Sequence, residues 1–168
     1  MKVLSTIPMD GTFDQEAPLI RLRRTRPSNT YSFDLKSATD RWPLSVIYTL
    51  VMLLFGPTYA SSIVNSTLGL NTFLVDKPIT SRMYEVAFIT GQPLGYYGSW
   101  SLFSLSHHYL VWLAAQHAQP DRDAPFTDYA VLGDDVIIAS DSVASEYTKL
   151  LAKLGVQISY SKSIISNY

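Results

Sequence analysis

Cysteine is absent from this 168-residue chain. Disulfides, zinc–thiolate centres and thiol nucleophiles are thereby excluded, and any bound metal must be held by oxygen or histidine. Net charge is nearly absent as well, at −1 from 13 basic and 14 acidic residues. That balance excludes a nonspecific nucleic-acid coat, so a polyanion would be steered only by a local cationic patch. The opening "MKVLSTIPMDGTFDQ" lacks the long apolar core of a secretory signal and carries aspartates, which do not suit an Arg-rich transit peptide. No removable targeting segment is expected, and the Asn65-Ser66-Thr67 glycosylation acceptor then reads as chance.

Charge is missing altogether from Trp42 to Val75. The densest part, "WPLSVIYTLVMLLF", ends at Gly56-Pro57, short of the roughly 20 residues a membrane span needs. It reads as a buried core helix with Asp40 as its N-cap and Pro43 in its first turn. A membrane span is not expected. With 47% apolar residues the chain has the composition of a folded domain, and its length suffices to bury a core.

What is present reads as an α+β layout. "TYSFDL" (Thr30 to Leu35) has the β-branched and aromatic content of a strand ending at Asp34. A helix is predicted from Tyr96 to His117 after a loop containing "GQPLG". Two strands, Thr127 to Leu132 and Val136 to Ala139, flank Gly133-Asp134-Asp135 in a tight hairpin. A helix at Ser142 to Leu154 and a strand at Val156 to Tyr160 complete the order. The expected fold is a small antiparallel sheet with helices packed on one face, without a domain boundary.

Adjacent aspartates at a hairpin tip repel and resist burial, which raises their pKa values. A divalent cation removes that conflict, because Mg²⁺ takes hard oxygen ligands and is commonly held by one or two carboxylates plus substrate phosphates. A solvated Asp-rich turn is the plain alternative. "FDLKSATDR" supplies a second source, with Asp34 at a strand end and Asp40 six residues later. If the first strand lies beside the hairpin, Asp34 and Asp134 face each other across the sheet and could bridge two metals for in-line nucleotidyl transfer.

These stretches resemble the motifs of viral RNA-dependent RNA polymerases: "DLKSATDR" motif A (33–41), "GQPLGYYGSWSLFSLSHH" motif B (91–108) and "YAVLGDDVIIAS" motif C (129–140). The flanks "IPMDGTFDQEAPL", "SFDL", "SHH" and "LGVQIS" are similar to mitovirus polymerases, and the resemblance covers almost the entire chain. It implies a polymerase palm that copies an RNA template into nascent RNA from nucleoside triphosphates, with two Mg²⁺ (or Mn²⁺) ions, in the mitochondrion. Asp34 and Asp134 would be the main metal ligands, assisted by Asp135. Asp40 would sit near the incoming ribose, with Arg41, Gly91, Gln92, Gly95 and Ser99 also on the substrate side, the glycines allowing backbone approach to the template–product duplex.

Among Lys149, Lys153 and Lys162 of the motif D region (142–162), Lys162 is the preferred general acid for the leaving pyrophosphate. Phe103 stands where many positive-strand virus polymerases carry an asparagine, so that partner in ribose selection is not transferred. "RLRRTR" (Arg21 to Arg26) could contact triphosphate or RNA backbone, or form a solvated basic edge. The adjacent His107-His108 cannot both face one metal from a helix and are expected to pack. The polymerase fingers and thumb are largely missing, so a second polypeptide supplying them is an expected partner. A catalytically inactive, virus-derived relic expressed from a mitochondrial genome is the alternative.

Overall fold

The computed structural model describes residues 2–93 and 95–167, without the side chains of Thr67, Leu68 and Asn167. Met1 and Tyr168, the ends of the expected 1–168 region, and Leu94, within 91–108, lie outside the described residues. The chain divides into two compact units, one formed by residues 1–38 and 100–168 and the other by 39–99.

In the first unit a four-stranded antiparallel sheet is assembled from β1 (Asn29–Asp34), β4 (Tyr129–Leu132), β5 (Asp135–Ile138) and β6 (Ile164–Asn167), in the order β4-β5-β1-β6. Side chains alternate between faces along each strand, so register decides what is buried. Phe33 pairs with Val136, Tyr31 with Ile138, and Val131 with Val136. Helices α5 (Ser99–Ala118) and α6 (Asp141–Leu154) cover this face, where Tyr147 of α6 stacks on Phe33 and His108 of α5 meets Tyr129 edge-on. Val131, Val136 and Ile138 are all buried there, each contributing about 1.5–3 kcal/mol of apolar burial.

Helix α1 (Ala17–Arg24) lies instead against the other face. Its Leu19 and Leu22 share a cavity of about 700 Å³ with Thr30 and Ile137. The free edge of β4 is covered by the N-terminal segment, with Val131 N–H donating to Met9 and Gly11 N–H to Val131. Such cover blunts an edge that could pair with another chain.

Two expectations are corrected. The strand predicted at Val156 to Tyr160 makes only a single bridge, Leu35 with Ile158, and the paired strand is β6. From that bridge to the Ser32–Ile164 pair, β1 advances three residues while the returning chain advances six. The surplus forms a turn at Tyr160–Lys162, so the β-rich "VQISY" runs past the end of β1.

The second correction concerns Asp40, which lies inside the short helix α2 (Ala38–Arg41) and does not cap the apolar helix α3 (Leu44–Phe55). Pro43 occupies the cap position with extended backbone, because a residue before proline is disfavoured in helix and the chain breaks there.

The second unit holds α3, α4 (Pro57–Ala60), a π-helical turn (Ser61–Gly69) and a hairpin of β2 (Thr72–Val75) with β3 (Tyr84–Ala87). Among the described residues no helix is long and apolar enough to cross a membrane. Helix α3 buries Ile47, Leu50 and Val51 but exposes Leu53, Leu54 and Phe55. Together with exposed Leu74, Ile79 and Ile89, these form apolar surface that favours association. Purified chain is expected to sediment as oligomers at micromolar concentration. A monodisperse monomer in sedimentation velocity would contradict this.

Candidate active site

The hairpin and β1 bring the carboxylates of distant segments to one end of the sheet. Strand β1 pairs with β5 such that Asp34 lies opposite Asp135, and Leu132 of β4 continues the row. Asp134 sits in the turn between β4 and β5, so the cross-strand partner of Asp34 is Asp135 where the sequence suggested Asp134. The three share the half-solvated end of the sheet.

Burial raises the pKa of Asp135 above the ordinary carboxylate value, the negative charges of Asp134 and Asp34 push it further, and Lys162 acts against them. Like charges that the fold itself brings together mark a candidate functional site. The turn at Tyr160–Lys162 places Lys162 Nζ 3.4 Å from Asp34 Oδ2. Lys149, by contrast, is committed to Glu146 at 2.6 Å along α6. A cavity of about 840 Å³ opens beside Lys162 and is also lined by Lys36, Ser159 and Ser161, a cationic and hydroxyl-rich wall.

The donor set fits a divalent ion. Oxygen donors are offered by Asp34, Asp134 and Asp135, and Asp135 is destabilised in its charged form by its neighbours. Among the described residues no group of three or more His, Cys, Asp or Glu side chains is placed to hold a metal ion. Mg²⁺ is commonly held by one or two carboxylates plus substrate phosphates and water, so these carboxylates would serve such an ion only together with other oxygen donors. The arrangement also yields a prediction. Asp135→Asn removes a repelled charge and is expected to raise the melting midpoint by roughly 1–3 °C in metal-free buffer, the effect being small because the site is solvated. A lower midpoint in scanning calorimetry would contradict the repulsion.

In the second unit, residues 90–92 fold back onto 39–42. Gly91 N–H donates to Trp42 O at 2.9 Å, Gln92 N–H to Thr39 O at 2.8 Å, and the Thr90 hydroxyl to Arg41 O at 3.1 Å. The stretch that carries Asp40 and Arg41 is thus held by residues 90–92. The Gln92 amide is buried with neither polar atom hydrogen-bonded, an arrangement that costs about 1–3 kcal/mol for each group left unpaired. Gly95 lies in open space, and Ser99 begins α5 with its N–H on Tyr96 O.

The two histidines of α5 pack in the core as expected, although the partners they hold were not legible in the sequence. His107 and His108 are fully buried and point to different partners. His107 reaches Gly133 and Tyr147, while His108 Nε2 donates to Asp10 Oδ2 at 2.9 Å and Nδ1 lies 2.9 Å from the Tyr129 hydroxyl. Burial alone would raise the pKa of Asp10, but hydrogen bonds from His108, Thr12 and Ser104 outweigh it and hold the carboxyl below its usual range. Nothing local in "IPMDGTF" signals a partner 98 residues away. Phe103 is buried beside His107. Arg21 is engaged, donating to Thr127 O at 2.6 Å, so the basic run of α1 is partly structural.

Comparison with known proteins places this geometry in context. The chain is similar in fold to telomerase of Candida albicans, solved in complex with a TWJ fragment of telomeric RNA, at a TM-score of 0.72 and 12% identity over 97% of this chain and 32% of that one. A truncated apo telomerase of Candida tropicalis gives a TM-score of 0.68 at 13% identity, over 99% and 40% of the two chains. An uncharacterised mitochondrial protein of Arabidopsis thaliana is 58% identical over 99% of this chain and 66% of its own length, and a second is 52% identical over 95% and 76%. The RNA-directed RNA polymerase of Cryphonectria parasitica mitovirus 1 is 38% identical over 99% of this chain, which spans only 20% of that enzyme. Residues 1–168 match the mitovirus RNA-dependent RNA polymerase family throughout, and the chain belongs to that family.

Proposed function

We propose that this chain carries the nucleotidyl-transfer centre of an RNA-directed RNA polymerase, built on a palm, and acts in the mitochondrion. The observation that supports it most is the in-register pairing of Asp34 with Asp135, beside the Asp134 turn and within reach of Lys162. Two Mg²⁺ or Mn²⁺ ions, when bound, supply activation of the attacking hydroxyl and charge neutralisation on the phosphates. Asp34 and Asp134 would hold them, with Asp135 assisting. In the transfer itself, the RNA 3′-hydroxyl gives up its proton to solvent, its oxygen forms the new bond to the α-phosphorus, and the bond from that phosphorus to the pyrophosphate oxygen breaks. The ammonium of Lys162 gives a proton to the leaving pyrophosphate.

The fold-back of residues 90–92 onto 39–42, with Asp40 and Arg41 in the clasped stretch, supports a shared nucleotide and template surface to which Gly95 and Ser99 would also belong. The mitochondrial proteins of Arabidopsis among its relatives support the location.

RNA primer extension with Mg²⁺ or Mn²⁺ tests the proposal. The parent chain is expected to incorporate nucleotide, and Asp134→Asn to lose roughly a hundredfold or more of that rate. Equal rates would refute the metal centre. No incorporation by a folded parent would favour the second reading, a virus-derived relic that keeps its site residues, for which the uncharacterised mitochondrial relatives speak.

A further inference from the structure

The two carboxylate-bearing segments are each gripped one residue upstream, on the buried side of the sheet. Gly133, preceding Asp134, is held by α5: its carbonyl lies 2.7 Å from His107 Nδ1. A carbonyl only accepts, so Nδ1 carries the proton and Nε2 is the acceptor. The Tyr147 hydroxyl donates to Nε2 at 2.6 Å, which fixes that tautomer. Phe33, preceding Asp34, stacks on Tyr147 at 5.8 Å, and Tyr147 in turn stacks on His107 at 5.9 Å.

Trp100 closes the other side of Gly133, where an added Cβ would overlap the indole. One continuous train therefore runs from the Asp134 turn through His107 and Tyr147 to the residue before Asp34. His107 and Tyr147 are wholly buried, where a polar pair is tolerated only when fully hydrogen-bonded. An apolar pair would fill the same volume without specifying direction. Direction is what a site of separate carboxylates needs, since an error of about an ångström loses a shared ligand geometry.

We infer that His107 and Tyr147 are positioning residues that set the Gly133 turn relative to β1, and so the spacing of Asp134 and Asp135 from Asp34. The consequence for metal rests on the function proposed above, but the consequence for the turn does not. Two readouts on the full chain separate them. The first is amide hydrogen exchange of the peptide covering 129–140 without metal, which sees turn opening directly. The second is Mn²⁺ affinity from the electron paramagnetic resonance of free Mn²⁺, with no RNA present.

His107→Leu keeps bulk and removes the donor. His107→Asn places its Nδ2 where the imidazole Nδ1 stood, and so keeps the bond to Gly133. Tyr147→Phe deletes one hydroxyl and keeps the stack, providing a variant that folds should His107→Leu fail to. Exchange in the turn is expected to accelerate about tenfold in His107→Leu, several-fold in Tyr147→Phe and less than twofold in His107→Asn. Mn²⁺ affinity should fall about tenfold in His107→Leu, in the manner of lost support to a ligand, and recover in His107→Asn. Unchanged exchange in the turn of folded His107→Leu or, should that not fold, of Tyr147→Phe overturns the inference. Equal Mn²⁺ binding by the parent and Asp134→Asn, with the exchange pattern as expected, sinks the metal reading and leaves the positioning role standing.

Discussion

Acidification from pH 7 to pH 5 is expected to remove about 2 kcal/mol of stability through His107 alone. Burial of the imidazole lowers its pKa from 6.5 to about 4, against a smaller opposing pull from the Gly133 carbonyl and with a further push from His108. The folded value lies below the unfolded one, so between them the unfolded chain binds a proton that the folded chain refuses. Stability is then fully present above pH 6.5 and drains away as pH falls toward 4, to a total of about 3 kcal/mol.

Other groups bend the curve but not the comparison. Asp135, whose pKa is raised, gains relief from repulsion as it protonates and so contributes with the opposite sign. Asp10, whose pKa is lowered, keeps its stabilisation until the pH falls below the ordinary carboxylate value. Both are shared by parent and His107→Asn. Urea titrations of the two at pH 7 and pH 5 should give lines that converge on acidification, because only the parent carries the buried imidazole. Parallel lines would mean that His107 is not held neutral.

The parts of the fold that were legible are those whose local pattern and tertiary role agree. Continuous apolar runs lie on both sides of Gly133-Asp134-Asp135, and the turn residues fit a hairpin, so β4 and β5 followed to within two residues of the observed ends. β1 was equally plain because its apolar Phe33 faces the core. The β2–β3 hairpin was not, since its connection carries no Asn-Gly or Asp-Gly signal and β3 is exposed along its whole length.

Helix α1 was hidden by its arginines, although Leu22 is buried. β6 was missed because β-propensity marks "VQISY", while pairing is decided by where β1 lies. In the candidate site, the carboxylates stood out by motif and charge, while three lysines of the motif D region shared one reading and only a preference singled out Lys162. Asp10, His107, Trp100 and Tyr147 did not stand out, because a buried hydrogen bond between residues dozens of positions apart leaves no local periodicity to read.

Gly91→Ala is expected to cost about 3 kcal/mol or to drive residues 90–92 off residues 39–42. Two terms add. Gly91 has φ +75°, where a side chain costs about 1–2 kcal/mol. An added Cβ would also overlap the carbonyl of Asp40 and lie 2.7 Å from Thr39 O, and these are backbone atoms that cannot swing aside. Forced overlap of this kind costs about 1–3 kcal/mol more. Gly95 provides the control, because its φ is +91° but nothing lies within 4 Å of an added Cβ. Gly95→Ala should therefore cost only about 1 kcal/mol.

The glycine that the motif suggested for approach to a duplex is, at 91, first required for approach to the chain's own Asp40. Freed from that clasp, the amides of Gly91 and Gln92 lose their acceptors at Trp42 and Thr39. Hydrogen exchange resolved to residues 88–93 is the measurement. Rapid exchange of both amides in Gly91→Ala, with protection kept in Gly95→Ala, is expected. Equal protection in the two variants would show that the Asp40 carbonyl gives way, and that the Gly91 contact does not hold Asp40 in place.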